Sequence, residues 1–228
     1  MAYPPLDGIK ACVFDAYGTL FDFAAAARAC PDLPAPAAER LTALWRDKQV
    51  QYTWLRAAQG RHADFAQVTA DALDFALETL GLERPGLRGG LLDLYLALAA
   101  FPEVPEVLAK VRAAGLATAI LSNGTPAMLA AAVAAAGLAR RFDAVLSVEE
   151  VGVFKPDRRV YQLAVDRLGI PAAAIAFVSS NGWDAHAASA FGMRVVWCNR
   201  TGQPRERLPG APDREIATLA ELPALVRG

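Results

Sequence analysis

Cysteine and histidine are scarce in this chain, with three of one and two of the other among 228 residues. Cys12, Cys30 and Cys198 lie far apart and are odd in number. They fit neither a zinc-ligand spacing nor a disulfide framework, so a reducing, cytoplasmic setting is the simplest expectation. His62 and His186 stand in polar, helix-patterned stretches and read as surface residues. An excess of one charge is also missing, since the formal net charge is −1. A chain that grips nucleic acid normally carries a basic excess or stripe, so nucleic acid is not an expected partner. No run of about 18 uncharged apolar residues occurs, and no membrane span is expected. The opening "MAYPPLDGIK" lacks the basic-then-apolar pattern of a secretory signal. Apolar side chains, by contrast, make up 54% of the chain. That is enough for one large domain, or for a core domain carrying a smaller insert.

Apolar, β-rich runs alternate with helical patterns through most of the sequence. "IKACVFDAYG", "LATAILSNG", "FDAVLSVEEVG", "AIAFVSSNG" and "MRVVWCNR" read as strands. Between them, "TPAMLAAAVAAAGL", "PDRRVYQLAVDRLG" and "WDAHAASAFG" read as helices, the second opened by Pro156 and closed by Gly169. Repeated strand-then-helix order predicts an α/β fold: a parallel sheet with helices on both faces. Residues 22–99 break the pattern. "PAAERLTALWRDKQVQYTWLRAAQ", "DFAQVTADALDFALETLG" and "GLLDLYLALAAF" have helical periods only. The expected division is therefore a core of residues 1–21 and 100–228 and an all-helical insert of residues 22–99, placed after the first strand. The tail should add a short strand and a closing helix.

In an open parallel sheet, ligands bind beyond the carboxyl ends of the strands. The predicted strands end in polar groups: Asp15 with Thr19, Ser122 with Asn123, and Ser179, Ser180, Asn181 and Asp184 together. Lys155 precedes the helix expected from Pro156. Each has an ordinary alternative, as a helix cap or a solvated charge. Strand ends must converge in space, however, and together they form one candidate site. Residues 13–23, "VFDAYGTLFDF", offer two acids. Asp15 ends the buried strand and is the nucleophile candidate. Asp22 lies past the turn and reads as a structural or capping residue.

"FDAYGTLFD", "LSNG", "FKPD" and "FVSSNGWD" occur in the order of the four motifs of the haloacid dehalogenase superfamily, which this chain resembles. "LWRDKQVQYTWL" and "SSNGWD" make it similar to the L-2-haloacid dehalogenases in particular, from about residue 8 to residue 220. The resemblance implies a modified Rossmann core, a helical cap formed by the insert, and a homodimer. It implies hydrolysis of short-chain (S)-2-haloalkanoic acids to (R)-2-hydroxy acids with inversion, with no cofactor. The partners would be substrate and water.

An aspartate is ionised at neutral pH without help. It becomes a useful nucleophile when its water is removed and its angle of attack is fixed. The resemblance assigns that role to Asp15, with Lys155 as its charge partner. Ser179, Asn181 and Asp184 would surround Lys155 and the hydrolytic water, Asp184 holding Lys155 and activating the water that Asn181 orients. Thr19 would hydrogen-bond Asp15. Ser122 and the N–H groups at the start of the following helix form an anion site for the substrate carboxylate, with Asn123 beside it. Arg46 stands next to the apolar stripe Leu41, Leu44 and Trp45; by the match to the insert motif it reaches the substrate and receives the halide. Tyr17, Phe65 and Trp183 are candidates for the apolar pocket, and Tyr161 for approach to the nucleophile.

The rival reading is a magnesium-dependent phosphatase of the same superfamily. Such enzymes usually carry an acid two residues after the nucleophile to protonate a basic alkoxide. That position is Tyr17 here. A halide needs no proton, so a dehalogenase tolerates the loss. General acid help is typically worth about 10²–10⁴-fold, so a phosphatase would not. Ser180 also replaces one acid of the pair that would hold Mg²⁺, and no metal is expected. A binding module that merely kept the fold would have no reason to retain Asp15, Lys155 and Asp184 together.

Overall fold

A computed structural model of the chain describes residues 4–28, 30–31 and 33–226. The β-branched and aliphatic runs form six strands: β1 (Ala11–Phe14), β2 (Ala117–Ser122), β3 (Ala144–Ser147), β4 (Ile175–Ser179), β5 (Arg194–Cys198) and β6 (Arg214–Ile216). They lie in the order β3-β2-β1-β4-β5-β6 and every pair is parallel. β1 is central, with Val13 opposite Ala119 of β2 on one side and Phe177 of β4 on the other. Its four residues are completely buried, as a strand covered on both faces by helices must be. The order of strands reverses beside β1, so the end of β1 is the switch point where such sheets bind ligands.

Eight α-helices accompany the sheet among the described residues: α1 (Ala24–Arg28), α2 (Ala35–Gln59), α3 (Phe65–Leu80), α4 (Leu87–Leu96), α5 (Val104–Ala113), α6 (Pro126–Ala135), α7 (Arg158–Leu168) and α8 (Gly182–Phe191). The first four fall between β1 and α5 and contain no strand, in line with the helical periods of that stretch. The chain enters and leaves this segment side by side. Asp22 N–H donates to the Ala99 carbonyl at 3.0 Å, and Phe101 N–H to that of Leu20 at 2.9 Å. Within it, α2 packs on α3 through a stripe of Ala38, Leu41, Trp45, Gln49 and Thr53, all buried. Leu44 is only half-buried. No helix of the described residues is long and apolar enough to cross a membrane.

Several expectations need correction. The helix after Lys155 begins at Arg158, capped by Asp157, and Pro156 stays outside it. The third insert helix starts at Leu87 and ends at Leu96, before the run of Ala97–Phe101 that the sequence pattern includes. Its polar-free tail instead forms the return crossing. The closing helix is a 3-10 segment, Leu219–Ala224, because Pro223 inside it removes a donor that an α-helix needs. α5 has no counterpart in the sequence reading. His186 is not a surface residue but 4% exposed, because the chain around Leu208–Ala211 folds over α8; its Nδ1 lies 3.3 Å from the Leu208 carbonyl. His62 is exposed, but sits between α2 and α3 rather than in a helix.

Candidate active site

The turn after β1 folds back so that its polar side chains face β4. Gly18 has φ 85, a left-handed conformation that only glycine adopts without cost, and a Cβ there would meet Ser180 Oγ at 3.0 Å. Asp15 sits at the strand end, its N–H bonded to the Val178 carbonyl at 2.9 Å. Its carboxylate is 6% exposed at the residue level and accepts from three side chains. Lys155 Nζ donates to Oδ1 at 3.1 Å. Thr19 Oγ1 and Asn181 Nδ2 donate to Oδ2 at 3.0 and 2.9 Å. One oxygen thus carries two donors, and the other carries the lysine alone.

Lys155 also donates to Asp184 Oδ2 at 2.8 Å, so one ammonium bridges two carboxylates. Burial alone would lower the lysine pKa, but the charges of Asp15 and Asp184 outweigh it and hold the pKa above the ordinary value. Asp184 lies in the first turn of α8 with no exposed surface. Ser179 Oγ donates to its Oδ2 at 3.0 Å and Tyr161 OH to its Oδ1 at 2.7 Å. Burial pushes the Asp184 carboxyl upward; Lys155 opposes this, and the nearby charge of Asp15 adds to it. Tyr161 is held well above the usual phenol range, first by burial and then by Asp184, and so remains a donor.

Asn123, at the end of β2, accepts the Lys155 backbone N–H at 3.1 Å and so fixes where the lysine starts. Ser122 Oγ is completely buried and accepts from the Gly124 N–H at 3.1 Å. Thr125 caps α6 by accepting from Met128 N–H. Gly124 is required by close approach rather than by φ: a Cβ there would lie 2.8 Å from the Tyr17 hydroxyl. The Tyr17 ring in turn stacks on Phe65 at 5.8 Å and tilts against Tyr95 at 5.3 Å. Tyr17 therefore joins the strand end to the helical segment.

Arg46, half-buried on α2, reaches across to the sheet. Its Nη2 donates to Asn181 Oδ1 at 3.2 Å, and its guanidinium lies 5.2 Å from the Phe23 ring centroid. A cavity of about 810 Å³ opens beside these groups, lined by Gly18, Phe23, Arg46, Trp54, Ser180, Asn181 and Trp183 among others. The Trp183 ring meets Trp54 edge-on at 5.4 Å.

The sequence-predicted residues thus fall into two groups. Asp15, Thr19, Lys155 and Asn181 are in direct contact, with Ser179, Asp184 and Arg46 one bond further out. Tyr161 donates to Asp184, which Lys155 joins to Asp15, and the Asn181 side chain donates to Asp15. Asp22 accepts from Ala24 N–H at 3.1 Å and pairs with Arg28, so it caps α1. Ser180, one of the polar residues expected at the end of β4, donates its N–H to Thr19 Oγ1 at 2.8 Å; sequence reasoning missed Arg200, whose Nη2 donates to the Thr19 carbonyl at 3.0 Å. Both aim Thr19 at Asp15. Nothing in the local pattern around Arg200 points to that contact.

Residues 9–192 match the family model of haloacid dehalogenase-like hydrolases. The chain belongs to this family. It is 46% identical over 222 residues to (S)-2-haloacid dehalogenase 1 of Pseudomonas sp. (strain CBS-3), covering 97% of this chain and 98% of the relative. It is also 46% identical to the (S)-2-haloacid dehalogenase of Pseudomonas sp. (strain YL), over 94% of this chain and 93% of the relative. Among solved structures, the L-2-haloacid dehalogenase of Xanthobacter autotrophicus with chloropropionic acid covalently bound superposes with a TM-score of 0.88. It is 41% identical, over 95% of this chain and 98% of that one.

Proposed function

We propose that this chain hydrolyses short-chain (S)-2-haloalkanoic acids to (R)-2-hydroxy acids through an ester formed on Asp15. The observation that carries the reading is the asymmetric carboxylate of Asp15. Oδ1 is bound by Lys155 alone at 3.1 Å and keeps a lone pair for attack. Oδ2 is held by Thr19 and Asn181 at 3.0 and 2.9 Å, which fixes the plane of the carboxylate. Oδ1 attacks the halogen-bearing carbon from the side opposite the halogen. An oxygen–carbon bond forms, the carbon–halogen bond breaks with its electron pair, and the centre inverts.

The halide leaves as the anion of a strong acid and needs no proton, which suits Tyr17 at the position where a phosphatase would hold an acid. Arg46 receives it. In the second half, water attacks Cγ of Asp15, and the negative charge that develops falls on Oδ2. The Thr19 and Asn181 donors already point there, and such preset donors stabilise a developing oxyanion. The bond from Cγ to Oδ1 breaks, and Oδ1 departs as the product hydroxyl with the proton that Asp184 has taken from the water, while the water's second proton is released to solvent as Asp15 returns to its carboxylate. Asp184, raised by burial, takes up the proton released by the water. Ser122 and the N–H groups at the start of α6 bind the substrate carboxylate, and Tyr17, Phe65 and Trp183 surround its alkyl group. Residues 22–99 act as the cap over a core of residues 1–21 and 100–228. Assembly as a homodimer in the cytoplasm completes the reading, supported by the resemblance and by the three unpaired, buried cysteines.

The test is a single turnover in ¹⁸O-labelled water with (S)-2-chloropropionate and EDTA present. Chloride should be released and the first product should carry no label, because its oxygen comes from Asp15. Label in that product would mean direct attack by water.

A further inference from the structure

Arg46 is held from two sides, and only one of them belongs to the site described above. On the other side, its Nη1 donates to Gln49 Oε1 at 2.7 Å. Gln49 is one turn along α2, 1% exposed, on the buried stripe between Trp45 and Thr53. A buried amide is costly unless its hydrogen bonds are made, and here they are. Gln49 Nε2 donates to Thr69 Oγ1 at 2.7 Å and to Tyr95 OH at 3.2 Å. Thr69 Oγ1 donates its single proton to the Phe65 carbonyl at 2.6 Å, so it can only accept from Gln49. The amide is thereby fixed with nitrogen toward α3 and α4 and oxygen toward Arg46. Trp45, next to Arg46, is pinned to the same spot by its Nε1 bond to the Thr69 carbonyl at 2.8 Å.

Resting on the proposed dehalogenase reading, we infer that Gln49 is a positioning residue for the halide-receiving Arg46. With Thr69 and Tyr95 it aims the guanidinium while leaving its charge intact. Both acceptors of Arg46, Gln49 Oε1 and Asn181 Oδ1, are neutral amide oxygens. A carboxylate at either place would aim the fork equally well but would neutralise the charge needed by a departing anion. The network therefore supplies direction without charge compensation. Its second consequence concerns the leaving group. Chloride is the more basic halide and leaves with more help, bromide with less, so a misaimed Arg46 penalises the two unequally.

The test measures single-turnover chloride release from (S)-2-chloropropionate and bromide release from (S)-2-bromopropionate, with thermal unfolding followed alongside. Gln49→Met keeps length and removes the acceptor. It should slow chloride release by about 10- to 100-fold, the scale of a catalytic group displaced by an ångström, and bromide release several-fold less. Thr69→Val frees the amide to flip and should act in the same sense but more weakly, whereas Thr69→Ser, which keeps the hydroxyl, should restore the wild-type halide ratio. Folded variants with an unchanged chloride-to-bromide ratio overturn the proposal, whether both rates fall equally or neither falls. Should Gln49→Met fail to fold, the Val and Ser pair at Thr69 decides by the same ratio. A wild-type chain releasing neither halide would overturn the dehalogenase reading itself, and this role for Gln49 with it.

Discussion

On the sheet side of the site, Asp15, Lys155 and Asp184 are joined through one ammonium at 3.1 and 2.8 Å and are almost wholly buried. On the helical side, Arg46 reaches the same centre through one 3.2 Å bond to Asn181 and an aromatic contact with Phe23. The two sides differ in what a perturbation costs. Removing one member of a buried ion pair leaves a stranded charge, typically about 3–5 kcal/mol. Losing one hydrogen bond between side chains costs about 1 kcal/mol. The sheet side therefore fixes the nucleophile rigidly, and the helical side is the adjustable one, where a leaving group can be accommodated or refused.

Breaking the sheet side should give the largest effect. Asp15→Asn removes the nucleophile and the charge that Lys155 answers, and halide release should fall by on the order of 10⁴-fold or more. Rapid-quench measurement of the ester is the check, and near-normal turnover would rule out the covalent route. On the helical side, Arg46→Lys keeps the charge but loses the two-pronged fork that spans Gln49 and Asn181. A fall in kcat of about 100-fold is expected, with KM changed less, and steady-state kinetics on chloro- and bromo-substrates would show it.

A smaller effect separates orientation from charge within the sheet side. Tyr161 favours the ionised form of Asp184 by donating to it at 2.7 Å. Tyr161→Phe removes that donor, so the Asp184 pKa rises further and the acid limb of kcat/KM moves to higher pH, with a loss of only several-fold at the optimum. Lys155 gives the opposite limb. Its pKa is raised, so its charge is lost only above the ordinary lysine range, and the rate should not fall on its account until pH passes that range. A pH–rate profile of the two proteins tests both, and an acid limb that stayed put in Tyr161→Phe would remove Asp184 ionisation from the mechanism.

The sheet side was also the more legible in the sequence, for a physical reason. Strand ends in a parallel sheet converge by topology, so Asp15, Lys155, Ser179 and Asp184 could be placed together from strand order alone. Period-3.6 patterning likewise located α2 and α3 within a residue or two. What stayed hidden depends on contacts between elements. The sequence reading passes over Gln49 and Thr53 on α2, yet both lie buried on the stripe facing α3. Arg200 follows β5, and nothing local tells that it bonds the Thr19 carbonyl. His186 was misread because burial of its helix comes from a loop some twenty residues further on. Periodicity reports which face is apolar, and it is silent about polar groups that the fold satisfies at a distance.

The smallest effect sharpens the contrast from the outer edge of the helical segment. Glu149, just after β3, accepts from Phe65 N–H at 3.2 Å and faces His62 Nε2 at 2.9 Å, so one carboxylate ties the start of α3 to the sheet. Both side chains of the His62–Glu149 pair retain some exposure, 29% and 22%. Pairs of this kind contribute about 0–1 kcal/mol, and the bond to Phe65 N–H survives when the imidazole is removed. His62→Ala should therefore lower Tm by no more than about 2–4 °C, leave kcat unchanged and raise KM slightly at most. A large rise in KM would mean that the surface pair, rather than the aromatic stack of Tyr17 on Phe65 and Tyr95, holds the helices over the strand ends. The stack is buried and its hold does not depend on charge, so a KM left unchanged in His62→Ala assigns the hold to the rings.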